Sequence, residues 1–264
     1  MHARRRPVLG WGLGAPKATG ISGAIRTSGR RNFLSRLDGV IAYSQRGAQE
    51  YREAGFNVER VFVALNAAAP APENPPPDRL TQFDPRPRVL FVGRLQARKR
   101  IDLLLKTCAS LPASLQPELV IVGDGPELAE LKDLAKSVFP QANFTGGLFG
   151  SELEEVFTRA DLFVLPGTGG LAIQQAMSFG LPVIAAQGDG TQDDLVRPEN
   201  GWKIPPGDLK ALESVLIEAL SDPIRLRQKG AASYRIVEQE ANLERMAGSF
   251  IAAVNAIQRI IAGD

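Results

Sequence analysis

From Arg88 onward the chain keeps returning to one pattern: a short run of almost uninterrupted apolar residues, then a stretch with helical spacing. "RVLFVG" leads to "KRIDLLLKTCASL", "ELVIVG" to "PELAELKDLAKSV", "NFTG" to "SELEEVFTRA" and "LFVLP" to "GGLAIQQAMSFG", before "LPVIAA" and "GWKIP". A strand without polar alternation has both faces buried, and strands separated by helices run parallel. The pattern predicts an α/β fold, Rossmann-like, with a parallel sheet covered by helices on both sides. Open sheets of this kind bind ligands where the carboxyl ends of strands meet helix N-termini.

A break precedes this lobe. Residues 66–88, "NAAAPAPENPPPDRLTQFDPRPR", hold seven prolines, too many for a helix or a central strand, so a linker is expected over 71–87. Before it, "PVLGWG", "GVIAYS" and "RVFVALN" read as strands, with one helix ending near "NFLSRL" and another in "QRGAQEYREAG", closed by Gly55. The expected organisation is a partial N-terminal α/β lobe over 1–70, the linker, a Rossmann-like domain over 88–222, and a C-terminal helix over 223–264 packing back on the first lobe. The helical tail should break near Asp222-Pro223. Three strands make half of a doubly wound sheet, so on the order of 50–100 further residues of the first lobe are expected upstream.

Composition removes several chemistries. Cys108 is the only cysteine and His2 the only histidine, so a disulfide framework, a Ser-His-Asp triad and a histidine metal site all lack partners. Cys108 falls in a helical pattern and reads as a small buried apolar residue. No apolar run reaches the roughly 18 residues of a spanning helix, and the start lacks the apolar run of a signal peptide. A cytoplasmic protein is expected. Net charge is +2, yet residues 1–37 hold eight Lys/Arg (Arg4, Arg5, Arg6, Lys17, Arg26, Arg30, Arg31, Arg36) and no acid. Such a face can meet phosphates or an acidic membrane surface, which adds a peripheral position at the inner membrane face; it reads equally as solvated surface.

Two constellations carry chemistry. In "VGRLQARKR", Gly93 lets the backbone turn at a strand end, and Arg94 and Lys99 supply a forked donor and a point charge suited to a diphosphate. Read blandly, they are exposed cations of a basic loop that also holds Arg98 and Arg100. In "LPGTGGLAIQQAMSFG", Gly167, Thr168, Gly169 and Gly170 open a helix whose first-turn amides can take a phosphate or a hydroxyl. Gly167, Gly169 and Ala172 also fit the G-x-G-x-x-A dinucleotide fingerprint, but at the lobe's fourth strand rather than its first βα turn, so a nicotinamide-dependent enzyme is the weakest reading. "GDGPE", residues 123–127, reads as a tight turn before a helix.

Taken in order, "VGRLQARKRIDLLL", "LVIVGDGPELAEL", "FTGGLFGSELEEVFTRADLFVLP", "AMSFGLPVIAA" and "ENGWKIPPGD" resemble the nucleotide-sugar-binding domain of family 4 retaining glycosyltransferases with the GT-B fold. "DGVIAYSQRGAQEYREAGFNVERVFVALNA" is similar to the end of that family's N-terminal domain. The resemblance implies a GT-B-like fold with a complete C-terminal Rossmann-like domain and a truncated N-terminal Rossmann-like half. It implies transfer of a sugar from a nucleoside diphosphate sugar to an acceptor, with retention, no metal and no cofactor. Arg94 and Lys99 would act on the diphosphate as the catalytic cations, with Gly93 at their strand end. Gly147 and Leu148 would lie near the base, and Gly167, Thr168, Gly169, Gly170 and Leu171 around phosphate and sugar. The family usually carries two glutamates eight positions apart across the elbow; those positions are Gly167 and Gln175 here. Gln175 can still bond a ribose hydroxyl, whereas Gly167 replaces no carboxylate, and Gln174 and Gln175 also read simply as helix formers. Leu13 stands where members often place a histidine, and Trp11 is expected to pack in the core rather than serve as an acceptor platform. The acceptor is left unidentified, with a glycan or a lipid-linked molecule expected; nucleic acid is not an expected partner. The alternative reading is a non-catalytic nucleotide-sugar-binding subunit, with a companion chain completing the N-terminal lobe.

Overall fold

The computed structural model of this 264-residue chain describes residues 6–15, 29–30, 32–188 and 190–263. His2, Arg4, Arg5, Lys17, Arg26 and Arg31 lie outside the described residues. The chain forms two compact units, one from within residues 1–70, 189–194 and 241–264, the other from residues 71–188 and 195–240.

The first unit holds strands β1 (Leu9–Gly12), β2 (Gly39–Ala42) and β3 (Val61–Val63) and, next in the chain after β2, helix α1 (Gln45–Glu53). The strands pair in parallel in the order β1-β2-β3. Ser44 starts α1, its hydroxyl accepting the Gly47 N–H at 3.0 Å. Alternation along β2 splits its contacts: Val40 and Ala42 pack with Ala48 and Tyr51 of α1, while Ile41 packs with Ala253 and Phe250 of the chain's last helix. Trp11 corrects its expectation. It is 49% exposed, its ring edge-on to Tyr43 at 4.7 Å and to Phe250 at 5.3 Å; among the described residues β1 pairs on one side only, with β2.

The second unit begins with β4 (Arg88–Val92), α2 (Ile101–Ser110), β5 (Glu118–Val122), α3 (Leu128–Val138), β6 (Asn143–Gly146), α4 (Gly150–Arg159) and β7 (Leu162–Leu165). It continues with α5 (Leu171–Ser178) and β8 (Val183–Ala186); the short α6 (Thr191–Leu195) then precedes β9 (Gly201–Ile204), α7 (Leu209–Ser221) and α8 (Pro223–Gln239). The six strands pair in parallel in the order β6-β5-β4-β7-β8-β9. This is the doubly wound order, which reverses direction between β4 and β7. All residues of β7 and β8 are buried, as their unbroken apolar runs require.

The helical tail breaks where the sequence indicates: Asp222 accepts the Arg225 N–H at 2.9 Å, with Pro223 in the first turn of α8. A second break corrects the expected single helix over 223–264. Asn242 accepts the Arg245 N–H at 2.9 Å and starts α9 (Leu243–Ala262), which belongs to the first unit, whereas α8 belongs to the second. The signal was present: an asparagine N-cap followed two residues later by Glu244 in the first turn.

The proline-rich segment has neither helix nor strand over residues 71–87, but it is a strap on the second unit rather than slack chain. Arg79 donates through Nε to the Ala160 carbonyl at 2.8 Å, through Nη1 to the Phe179 carbonyl at 2.7 Å and through Nη2 to the Phe157 carbonyl at 3.0 Å. Those carbonyls end α4 and α5, where helices leave acceptors unpaired and favour a cation. Burial and the neighbouring Arg227 pull the Arg79 guanidinium down to about 10, so it stays charged at neutral pH. Arg227 in turn donates to Asp161 at 2.6 Å and to the Leu80 carbonyl at 2.8 Å.

Arg79→Ala leaves several helix-end carbonyls without donors. It should lower stability in urea unfolding by about 3 kcal/mol, with Arg79→Lys restoring only part because an ammonium lacks the planar fork; an unchanged midpoint contradicts the strap. Cys108 is fully buried, and burial pushes its thiol up to about 12. A thiol reagent at pH 8 should therefore leave the native chain unlabelled and react once urea unfolds it.

Candidate functional site

The turn after β4 is shaped by glycines. Gly93 has φ 155° and Gly123, at the end of β5, has φ 138°. A Cβ on Gly123 would stand 2.0 Å from the Gly93 carbonyl oxygen, and one on Gly125 would stand 2.2 Å from that of Leu95. Leu95 donates to the Asp124 carbonyl at 2.9 Å and accepts from the Glu127 N–H at 3.2 Å. "GDGPE" is thus a tight turn zipped to the β4 turn, as its residues suggest.

Beyond Leu95 a single 3₁₀ turn, Ala97–Lys99, presents the cations. Arg94 is exposed at the strand end. Lys99 is only 9% exposed and donates through Nζ to the Gly169 carbonyl at 3.0 Å. Arg100 takes the left-handed conformation, φ 54°, ψ 41°, at the start of α2. Its guanidinium is held by Asp102, Nε to Oδ1 at 3.0 Å and Nη2 to Oδ2 at 3.3 Å. Burial pushes the Asp102 carboxyl up, but the hydrogen bond and charge of Arg100 outweigh it and hold it below the usual carboxylate range.

The elbow after β7 lies directly against this turn. The Thr168 N–H donates to the Arg98 carbonyl at 3.0 Å. Gly167 is where the two backbones meet: a Cβ there would stand 2.1 Å from the Arg98 carbonyl oxygen and 2.6 Å from Lys99 Cα. Gly169, at φ 86°, would place a Cβ 3.0 Å from both Arg98 Nη1 and Lys99 Nζ. Gly170 then starts α5 without a side-chain cap, so the helix offers first-turn amides and the positive end of its dipole toward the cations.

The structure therefore brings together Gly93, Arg94, Lys99 and the elbow Gly167–Leu171 at the carboxyl ends of β4 and β7, the point where the strand order reverses. Gly147 and Leu148 follow β6, at the same end of the sheet and two strands from β4. Leu171 is exposed; Gln175, one turn later on the same face of α5, is partly exposed, while Gln174 is buried. Of the two glutamines, Gln175 is the one on the exposed side of α5. Leu13 is half-exposed and belongs to the first unit. Sequence reasoning left Arg98 among the bland cations, yet its guanidinium lies on the elbow; adjacency to Lys99 in a one-turn loop was the signal.

Residues 77–235 match the family model described as glycosyl transferases group 1. A GDP-mannose-dependent alpha-mannosyltransferase of Mycobacterium tuberculosis is 36% identical over 66% of this chain and 44% of its own length. A sulfoquinovosyl transferase of Arabidopsis thaliana is 34% identical over 54% of the chain and 29% of its own. A GDP-mannose-dependent monoacylated alpha-(1-6)-phosphatidylinositol monomannoside mannosyltransferase of Corynebacterium glutamicum is 30% identical over 78% and 55%. The chain thus spans about half or less of the length of these relatives. Among solved structures, Anabaena Alr3699/HepE in complex with UDP superposes with a TM-score of 0.76 at 19% identity, over 97% of this chain and 74% of that one. Sucrose-phosphate synthase from Thermosynechococcus elongatus gives 0.71 at 24% identity, over 91% and 63%. With the doubly wound sheet, the GT-B neighbours and a family model that covers more than half of its residues, this chain belongs to the group 1 glycosyl transferases.

Proposed function

We propose that this chain binds a nucleoside diphosphate sugar at the β4–β7 crevice and transfers its sugar, with retention and without a metal, to a glycan or lipid-linked acceptor. The observation that carries the reading is the contact of the Arg94–Lys99 turn with the glycine elbow at the strand-order reversal. There the Lys99 ammonium, the Arg98 guanidinium and the N-terminus of α5 lie together at Gly169–Gly170, with Arg94 at the neighbouring strand end. Cleaving the sugar–phosphate bond leaves a nucleoside diphosphate that carries the electron pair of the broken bond. Lys99 and Arg94 would stabilise that charge as it develops, and Lys99, being buried, would act where water screens little. In this reading the amides of Gly169, Gly170 and Leu171 hold phosphate and sugar hydroxyls, Gln175 a ribose hydroxyl, and Gly147 with Leu148 the base. GDP-mannose in the names of two relatives, and UDP bound to a structural neighbour, support a sugar nucleotide as the donor class.

Particular residues favour a second reading, a nucleotide-sugar-binding subunit that acts with a companion chain. Gly167 carries no carboxylate toward the sugar, and Leu13 stands in the loop where the resembled family often has a histidine. Nucleotide binding without donor hydrolysis or transfer would favour this subunit. Among the described residues no helix is long and apolar enough to cross a membrane. The early cations would hold an anionic membrane surface or a lipid-linked acceptor by charge alone.

Calorimetric titration of the purified chain with UDP, GDP and ADP should give a saturable isotherm with at least one, and Arg94→Ala combined with Lys99→Ala should remove it. No binding to any of the three contradicts the reading. Gly167→Ala must separate two backbones, since its Cβ would meet the Arg98 carbonyl rather than a movable side chain. It should weaken nucleotide binding at least tenfold, with a stability loss of about 1–3 kcal/mol; wild-type affinity in that variant would show that the elbow and the Arg98 turn need not touch.

A further inference from the structure

Three neighbouring strand ends of the second unit carry glycine: Gly93 after β4, Gly123 after β5, and Gly146 closing β6, with Gly147 next. Backbone bonds join them into one ledge. The Gly93 N–H donates to the Val122 carbonyl at 3.0 Å and the Gly123 N–H to the Gly146 carbonyl at 2.8 Å. All four glycines keep some exposure. A strip of bare peptide thus runs from the cation turn to the β6 loop, across two strand spacings or about 10 Å. That matches the reach from a pyrophosphate, across one ribose, to a base.

Phe149 stands at the far end of the strip. It is 82% exposed, more than any other large apolar residue among those described. It also holds the N-cap position of α4, where serine, threonine, aspartate or asparagine would accept a first-turn N–H, and it makes no such bond. The helix forgoes a cap, and water meets a ring whose burial would be favourable. Both costs fall on one side chain, and the fold recovers neither. Gly146 at φ 77° and Gly150 at φ 54° flank the loop, each with open space where a Cβ would stand. Backbone conformation, not crowding, calls for glycine there, and the turn it permits leaves the ring in solvent. A Cβ on Gly147 would stand 3.6 Å from Phe149 Cε2 and 3.8 Å from Cζ. Gly147 therefore leaves open the space beside the ring that a side chain would fill.

We infer that Phe149 is the stacking platform for the nucleobase of the donor, which lies against the ring in the space left by Gly147. This rests on the nucleotide-sugar reading above and deepens it, placing pyrophosphate and base at the two ends of one glycine ledge. A base presents a π-face whatever its hydrogen-bonding edge, so an aromatic ring gains contact with it and loses its exposure to water on binding.

Calorimetric titration of the full chain and three Phe149 variants with GDP, ADP and UDP tests the inference. For any nucleotide that the wild-type chain binds, Phe149→Leu and Phe149→Ser should weaken binding roughly five- to a hundredfold, while Phe149→Trp should retain it. Phe149→Ser also supplies the missing cap, so its urea midpoint should rise while its affinity falls. A ring with a merely structural role would not separate the two. The emission of Phe149→Trp should change on titration, beyond the background of Trp11 and Trp202 measured in the wild-type chain. Wild-type affinity in Phe149→Leu or Phe149→Ser overturns the inference and leaves the nucleotide-site reading standing. So does a Phe149→Trp emission indifferent to a nucleotide that binds. Absence of binding of GDP, ADP and UDP to the wild-type chain overturns both.

Discussion

One contact between two backbones sets the character of this site. The Arg98–Lys99 peptide lies against Gly167 so closely that no side chain fits between them, and two hydrogen bonds lock the arrangement, Thr168 N–H to the Arg98 carbonyl and Lys99 Nζ to the Gly169 carbonyl. The second bond matters most. A carbonyl satisfies a donor of an ammonium without cancelling its charge, as a carboxylate would. Lys99 is thus nine-tenths buried with its ammonium turned to the elbow.

The sheet and the proline-rich strap serve that contact from two directions. Reversal of strand order at β4 and β7 makes their carboxyl-end loops diverge around a gap, and the glycines at 93 and 169 allow the chain to turn into it. Helix α5 is then fixed at both ends. Its start meets the cation turn, and the Phe179 carbonyl past its last residue accepts from Arg79, which also ends α4. A short helix held this way has little freedom to slide, so first-turn amides stay aimed at one place. Gly180, at φ 65°, and Gly230 permit the close packing behind it, with Pro76 and α8 respectively.

Much of the fold was legible because period and burial agree. The buried strands of the second unit were unbroken apolar runs, and the helices between them carried amphipathic spacing and recognisable stops such as Asp222-Pro223. What escaped the sequence depended on neighbours distant in the chain. Arg79 sits in a stretch whose prolines speak only of extended backbone; that its fork closes two helix ends 78 to 100 residues away is tertiary information. Trp11 was expected to pack in the core, but among the described residues the strand order leaves β1 with one neighbour and its ring half-exposed. The second break, at Asn242, was legible in its cap and was masked by the continuous helical propensity around it. In the site, the types of the residues pointed to Arg94, Lys99 and the glycine elbow, and the resemblance implied a shared diphosphate ligand. That Gly167 is enforced by a facing peptide, and that Arg98 lies on the elbow, emerged from geometry alone.

A crystal structure of the chain with bound UDP or GDP tests the central claim most directly. The account predicts pyrophosphate oxygens within hydrogen-bonding distance of Lys99 Nζ, the Arg94 guanidinium and the first-turn amides of α5, between the ends of β4 and β7. A nucleotide lodged elsewhere on the chain, with Lys99 still turned to the Gly169 carbonyl, would contradict it.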